Sequence, residues 1–198
     1  MFDSTLDLFD KYYQKMVLLN TPGLNADLAQ ETRKRIEQLN FLYQLINEKQ
    51  LRYFDLHWRL VGDGSLGEKI KKAGGSITVV GSEEMKEMKD LMFEIELYTE
   101  SFYYLAGRMY TILKKGFLPG LKSFECIGAR DVRNKLLEHA DGKQSQVYIQ
   151  SFGLGGDQGP TLKIERPTGQ AHIFPDAGLY ANAEEIRANL EKLLNLAI

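Results

Sequence analysis

The chain has a single cysteine, Cys126, among its 198 residues. One thiol excludes an internal disulfide and cannot hold a zinc ion alone, so Cys126 is read as a packing residue. Histidine is scarce as well. Of the three, His57 and His172 lack acidic partners at ligand spacing, and no metal is expected. Long apolar runs are missing: stretches such as Ile77-Thr78-Val79-Val80 fall far short of the roughly 20 residues that cross a bilayer. Met1-Phe2-Asp3-Ser4-Thr5-Leu6-Asp7 lacks the basic-then-apolar order of an export signal. A cytoplasmic location without membrane contact is the expectation. An excess of basic charge is missing too, with 25 Lys and Arg against 27 Asp and Glu, which argues against a dedicated nucleic-acid coat.

What is present is an ordinary globular balance, 43% hydrophobic and 26% charged residues, enough for one substantial domain. Helical periodicity dominates it. Leu6 to Leu19 has an apolar line that stops at Asn20-Thr21-Pro22-Gly23, where proline cannot continue the ladder. Asn25 is placed to cap a second helix from Ala26 to about Tyr53, with Glu31 and Arg35 paired on its exposed face. Six glycines between Gly62 and Gly81 then break any helix, and 62–81 reads as a long connection.

The strongest element comes next, a helix from Glu83 to Lys115. Ser82 suits its N-cap, Glu83 and Glu84 the positive dipole end, and Lys114 and Lys115 the negative end, before Gly116 stops it. Positions 85, 88, 92, 95, 99, 102, 106, 109 and 113 alternate steps of three and four, the spacing of a bundle seam. A second stripe, Leu91, Ile95, Tyr98, Phe102, Leu105, Met109 and Ile112, widens the apolar face, so this helix needs cover on two sides. Pro119-Gly120 turns the chain into a fourth helix, Leu121 to about His139, antiparallel to the third. Val147 to Phe152 and Thr161 to Glu165 alternate like strands and predict a hairpin with a glycine-rich tip. Asn182, with Glu185 three residues on, predicts a capped helix from Ala183 to Leu196.

Charge is unevenly spread. Residues 108 to 143 hold eight basic and four acidic side chains, so this segment is locally positive in an acidic chain. Within it lies Arg133-Asn134-Lys135-Leu136-Leu137-Glu138-His139. Arg52 and Arg166 also precede histidines at comparable spacing, so spacing alone singles out nothing. The adjacent Asn134, the helix end, the basic surroundings and the preceding long helix set Arg133 and His139 apart. This segment resembles the motif of HEPN nucleotide-binding domains, an arginine and a polar residue followed by a histidine near a helix end in an antiparallel bundle.

That resemblance implies an RNA-binding module or a metal-independent endoribonuclease, of a toxin or stress and defence kind, acting as a homodimer without a cofactor. Arg133, Asn134 and His139 would be its catalytic residues, with Lys135, Arg130 and Lys122 contacting nucleic acid. Histidine is suited to move the protons and a forked guanidinium to hold the phosphate. On an ideal helix Arg133 and His139 lie about 120° apart, so a shared face needs an unwound last turn or a two-fold partner.

Other patterns carry less. Gly62-Asp63-Gly64-Ser65-Leu66-Gly67 matches a dinucleotide fingerprint, but no room remains after it for its helix and no further strand–helix units exist. Gly153 to Pro160 lacks the ending of a phosphate loop. Glu94, Glu96 and Glu100 read as a solvated helix face. The expectation is a mainly α protein, an antiparallel HEPN-like bundle over 1–143, with a hairpin and terminal helix over 144–198 packed on the same domain. The alternative is a non-catalytic interaction domain with a protein partner.

Overall fold

The computed structural model describes residues 1–61, 83–115, 127–138, 146–150, 159–165 and 171–196. Helices dominate them: α1 (Asp3–Leu18), α2 (Ala26–Val61), α3 (Glu83–Lys115), α4 (Ile127–Glu138) and α5 (Leu179–Leu196). None of these is long and apolar enough to cross a membrane. The glycine-rich connection, Ser82, Gly116, the Pro119-Gly120 turn and the hairpin loop 153–158 lie outside the described residues.

The turn after α1 is where the sequence places it. Leu19, Asn20 and Thr21 return their N–H groups to carbonyls of the last helical turn. Asn20 and Gly23 take positive φ, 52° and 80°, conformations that asparagine and glycine tolerate best. Asn25 then accepts the Leu28 N–H through Oδ1 at 3.1 Å and opens α2, as its capping chemistry predicts. The Glu31–Arg35 pair also forms. The helix runs past the expected end near Tyr53 because Leu56 continues its buried face, 1% exposed.

Helices α2 and α3 lie antiparallel, in a register marked by ion pairs along one edge. Arg52 meets Glu87 at 2.8 Å, Lys49 meets Glu94 at 2.7 Å, and Glu31 meets Arg108 at 3.7 Å. These exposed pairs add little stability. The stabilising term is the seam beside them, where Ile36, Leu39, Ile46 and Leu56 of α2 bury with Ile95, Phe102, Met109 and Leu113 of α3. Each such side chain is worth roughly 1.5–3 kcal/mol on burial. The expected α3 seam is met from Met88 onward, whereas Met85 is 43% exposed.

Helix α5 closes the other side. Leu179, Ala183, Ile186, Leu190 and Leu194 form its buried stripe. Ser4 and Thr5 of α1 donate to Glu191 Oε1 at 2.9 and 3.0 Å, and Arg187 donates to Oε2 at 2.7 Å. Burial pushes the Glu191 carboxyl up, but these donors outweigh it and hold the group below the ordinary carboxylate range. The helix begins earlier than expected, at Leu179, whose N–H bonds the Pro160 carbonyl at 3.0 Å. Asn182 is therefore no N-cap. It sits one turn inside the helix, 3% exposed, and donates to the Tyr103 hydroxyl at 2.9 Å.

Backbone pairing joins β1 (Gln146–Gln150), β2 (Thr161–Glu165) and β3 (Ala171–Gly178) in that order, antiparallel throughout. The β2–β3 ladder has an irregularity between Thr161 and Lys163. The third strand has no counterpart in the sequence expectation, since Pro175 interrupts the alternation that marks a strand.

One polar clamp fixes the start of α1. Asn40 Oδ1 accepts the Phe2 N–H at 2.9 Å while its amide donates to Asp3 Oδ1 at 2.9 Å, and Phe2 is fully buried. Asn40→Ala leaves that N–H unpaired, and a loss of about 2 kcal/mol is expected. Thermal unfolding checks it, with a midpoint lower by roughly 4–8 °C. Thr99 is the opposite case: it is fully buried and its hydroxyl has no partner among the described residues. Thr99→Val should raise the same midpoint by removing that desolvated group.

Candidate functional site

The basic helix end stands where α4 crosses α3. Ala129, Val132 and Leu136 form the buried side of α4. Arg133 lies over Gly107 of α3: a Cβ there would overlap the Arg133 side chain, with Cδ its nearest atom. One turn away Arg130 hydrogen-bonds Tyr110 of α3. Residue number falls along α3 as it rises along α4, so the two helices run in opposite directions, as the sequence predicts. A second close approach joins α4 to α5. A Cβ at Gly128 would overlap Asn182 Oδ1, and the Gly128 N–H donates to Glu185 Oε2 at 3.3 Å. Two glycines thus let a short helix settle onto two neighbours.

Arg133 and Asn134 are brought together. The guanidinium donates from Nε at 3.1 Å and from Nη2 at 2.5 Å to Asn134 Oδ1. Gly107 thus lies against one side of the arginine and the Asn134 amide against the other. Both residues are half-buried. Arg130 is drawn the other way. Burial lowers its basicity, but Tyr110 and Asp131, the latter at 3.5 Å, outweigh this and raise it. Of the remaining expected site residues, His139 and Lys122 lie outside the described residues, as does the side chain of Lys135. The arginine–asparagine pair is therefore the described part of the site.

Other candidates are plainer. His57 stacks on Tyr53 with ring centroids 6.1 Å apart. Among the described residues no group of three His, Cys, Asp or Glu could hold a metal ion. Glu94 is engaged by Lys49. Glu100 departs from the solvated-face reading: it is half-buried, and burial pushes its carboxyl above the ordinary range.

Gly107 and Tyr110 escaped the sequence reading. A lone glycine inside a strongly periodic helix signals close approach by another element, and that clue was present at Gly107. It also yields a test. Alanine in a helix interior is ordinarily about 1 kcal/mol better than glycine. Gly107→Ala should show no such gain while Arg133 is present, and should recover it in an Arg133→Ala background. A chemical-denaturation cycle measures the coupling, expected at about 1 kcal/mol or more.

Comparison with protein-family models, with curated proteins and with solved structures finds no match to this chain.

Proposed function

We propose that this protein binds RNA in the cytoplasm through the basic end of α4, as a HEPN-like helical module in which Arg133 contacts phosphate. The observation that carries the reading is the seating of Arg133 on Gly107 with its fork steered by Asn134. A restricted guanidinium loses less freedom on meeting an anion, and its planar donors match phosphate geometry. Lys135 is close by in the sequence, and His139 follows at the sequence spacing that the motif gives its proton-transfer group. In this reading the C-terminal hairpin is an addition to the HEPN pattern, and a homodimer supplies two histidines so that acid and base need not be one residue.

A second reading, a non-catalytic interaction domain, is favoured by large apolar side chains left on the outside of α3. Phe93, Leu97 and Tyr104 are 66%, 48% and 41% exposed.

Binding of a labelled single-stranded RNA, measured by fluorescence anisotropy across salt concentrations, separates the two. Contacts from Arg133, Lys135 and Arg130 would give a log–log slope of about −2, or a loss near 20-fold for a fourfold rise in salt. Arg133→Ala should weaken binding by roughly 10-fold or more, and Arg133→Lys should restore little of it. Absent or salt-independent binding sinks the RNA reading. If the RNA is cleaved in the presence of a chelator, His139→Ala must abolish that cleavage for His139 to keep its role.

A further inference from the structure

Helix α3 has more apolar surface than its own fold covers. Its buried side, with Leu91, Ile95, Phe102, Ala106, Met109 and Leu113, packs into the core. On a wheel of 3.6 residues per turn, Phe93, Leu97 and Tyr104 fall within about 40° of one another on the opposite side. Isolated exposed apolar residues are ordinary, but three large ones aligned over three turns of one helix form a strip, interrupted only by Glu100. The strip faces away from α2, whose ion pairs run along the edge marked by Glu87, Glu94 and Arg108. It is also offset from α4, which reaches α3 through Gly107 and Tyr110.

The order of residues along the strip indicates what covers it. Phe93 and Tyr104 are equidistant from a point between Tyr98 and Thr99, and so are Leu97 and Glu100. Asp90 and Arg108 are equidistant from Thr99. They are also separated by about five complete turns, so they project at the same angle beside the strip. A two-fold axis at this point would lay the strip antiparallel on a copy of itself. Phe93 would then stand level with Tyr104 of the copy, and Asp90 within about 1.5 Å of the level of Arg108, at both ends of the contact. In an antiparallel pair related by such an axis each flank meets its own equivalent, so the opposite charges face each other. Among the described residues Asp90, which is exposed, has no ion pair, and Arg108, 66% exposed, has only the long 3.7 Å approach to Glu31. Asp90 can pair across the contact directly, and Arg108 by giving up its long approach to Glu31.

We infer that the outer strip of α3, Phe93, Leu97 and Tyr104 flanked by Asp90 and Arg108, is an antiparallel docking surface for a second copy of this chain. This inference is independent of RNA binding. It also differs in geometry from a dimer built around a shared cleft. With the axis near Thr99, the two Gly107 residues lie about 25 Å apart along the paired helices. Each Arg133–Asn134 pair thus stays with its own subunit at an end of the contact. Glu100, half-buried already, meets Leu97 of the copy and opposes association, which sets the affinity in the weak range.

Sedimentation equilibrium of the full chain is the test. At about 100 µM, in the regime of weak dimers, the wild type should weigh more than the 22.6 kDa monomer. Phe93→Lys and Leu97→Glu change exposed positions, so circular dichroism and thermal unfolding should stay as in the wild type. Each should raise the dimer dissociation constant by about 10-fold or more. Asp90→Arg places two arginines together at each end and should weaken the dimer, and the double variant Asp90→Arg with Arg108→Asp should recover it. A wild type that stays monomeric throughout overturns the inference and leaves the strip to a different partner. A dimer indifferent to Phe93→Lys and Leu97→Glu, or a charge swap without recovery, overturns it as well.

Discussion

Pairing of α2 with α3 is the constraint on which the rest of the structure depends. Two helices of 36 and 33 residues bury a shared seam, and neither could keep its apolar side in water alone. Most helical stability comes from such packing rather than from intrinsic propensity. Once the pair exists, its uncovered apolar surface dictates where the later helices settle. Tyr103 is fully buried and its hydroxyl meets Asn182 of α5, while α4 approaches α3 at Gly107. The ion pairs at Glu87, Glu94 and Arg108 decorate this register without creating it.

How much of this was legible depends on which signal each element carries. Helix α3 is readable because its apolar period persists over the whole length and both ends bear the right charges. The α1–α2 turn is readable because Asn20, Gly23 and Asn25 each have a local backbone reason to be there. Asn182 misled for an instructive reason. A polar residue three before a glutamate looks like a capping box, but the same amide can serve a buried phenol, and only the three-dimensional neighbour Tyr103 decides. The outer strip of α3 was hidden differently. Phe93, Leu97 and Tyr104 belong to neither of the two apolar stripes that sequence periodicity picks out and lie on the opposite side of the helix, so one by one they look like ordinary exposed residues rather than a surface.

The candidate site shows the same division. Arg133 and Asn134 could be named from the sequence because their chemistry is local to one helix. What holds them could not, because Gly107 lies 26 residues earlier and contributes by having no side chain. The absence of a Cβ is invisible to any reading that looks for reactive groups. It nevertheless decides where the guanidinium rests and how closely α4 approaches α3.

The hydrogen bond between Asn182 and Tyr103 has a meaning beyond its strength. Leucine, isoleucine and alanine contacts are forgiving: a helix carrying them can slide by one turn and find similar neighbours. If α5 slipped that way, Ile186 would replace Asn182 opposite the phenol and its buried hydroxyl would lose the amide. A buried polar pair of this kind penalises the wrong arrangement more than it favours the right one. It acts as a key that admits a single alignment of the last helix, so the chain's uniqueness of form, rather than its total stability, rests on one amide.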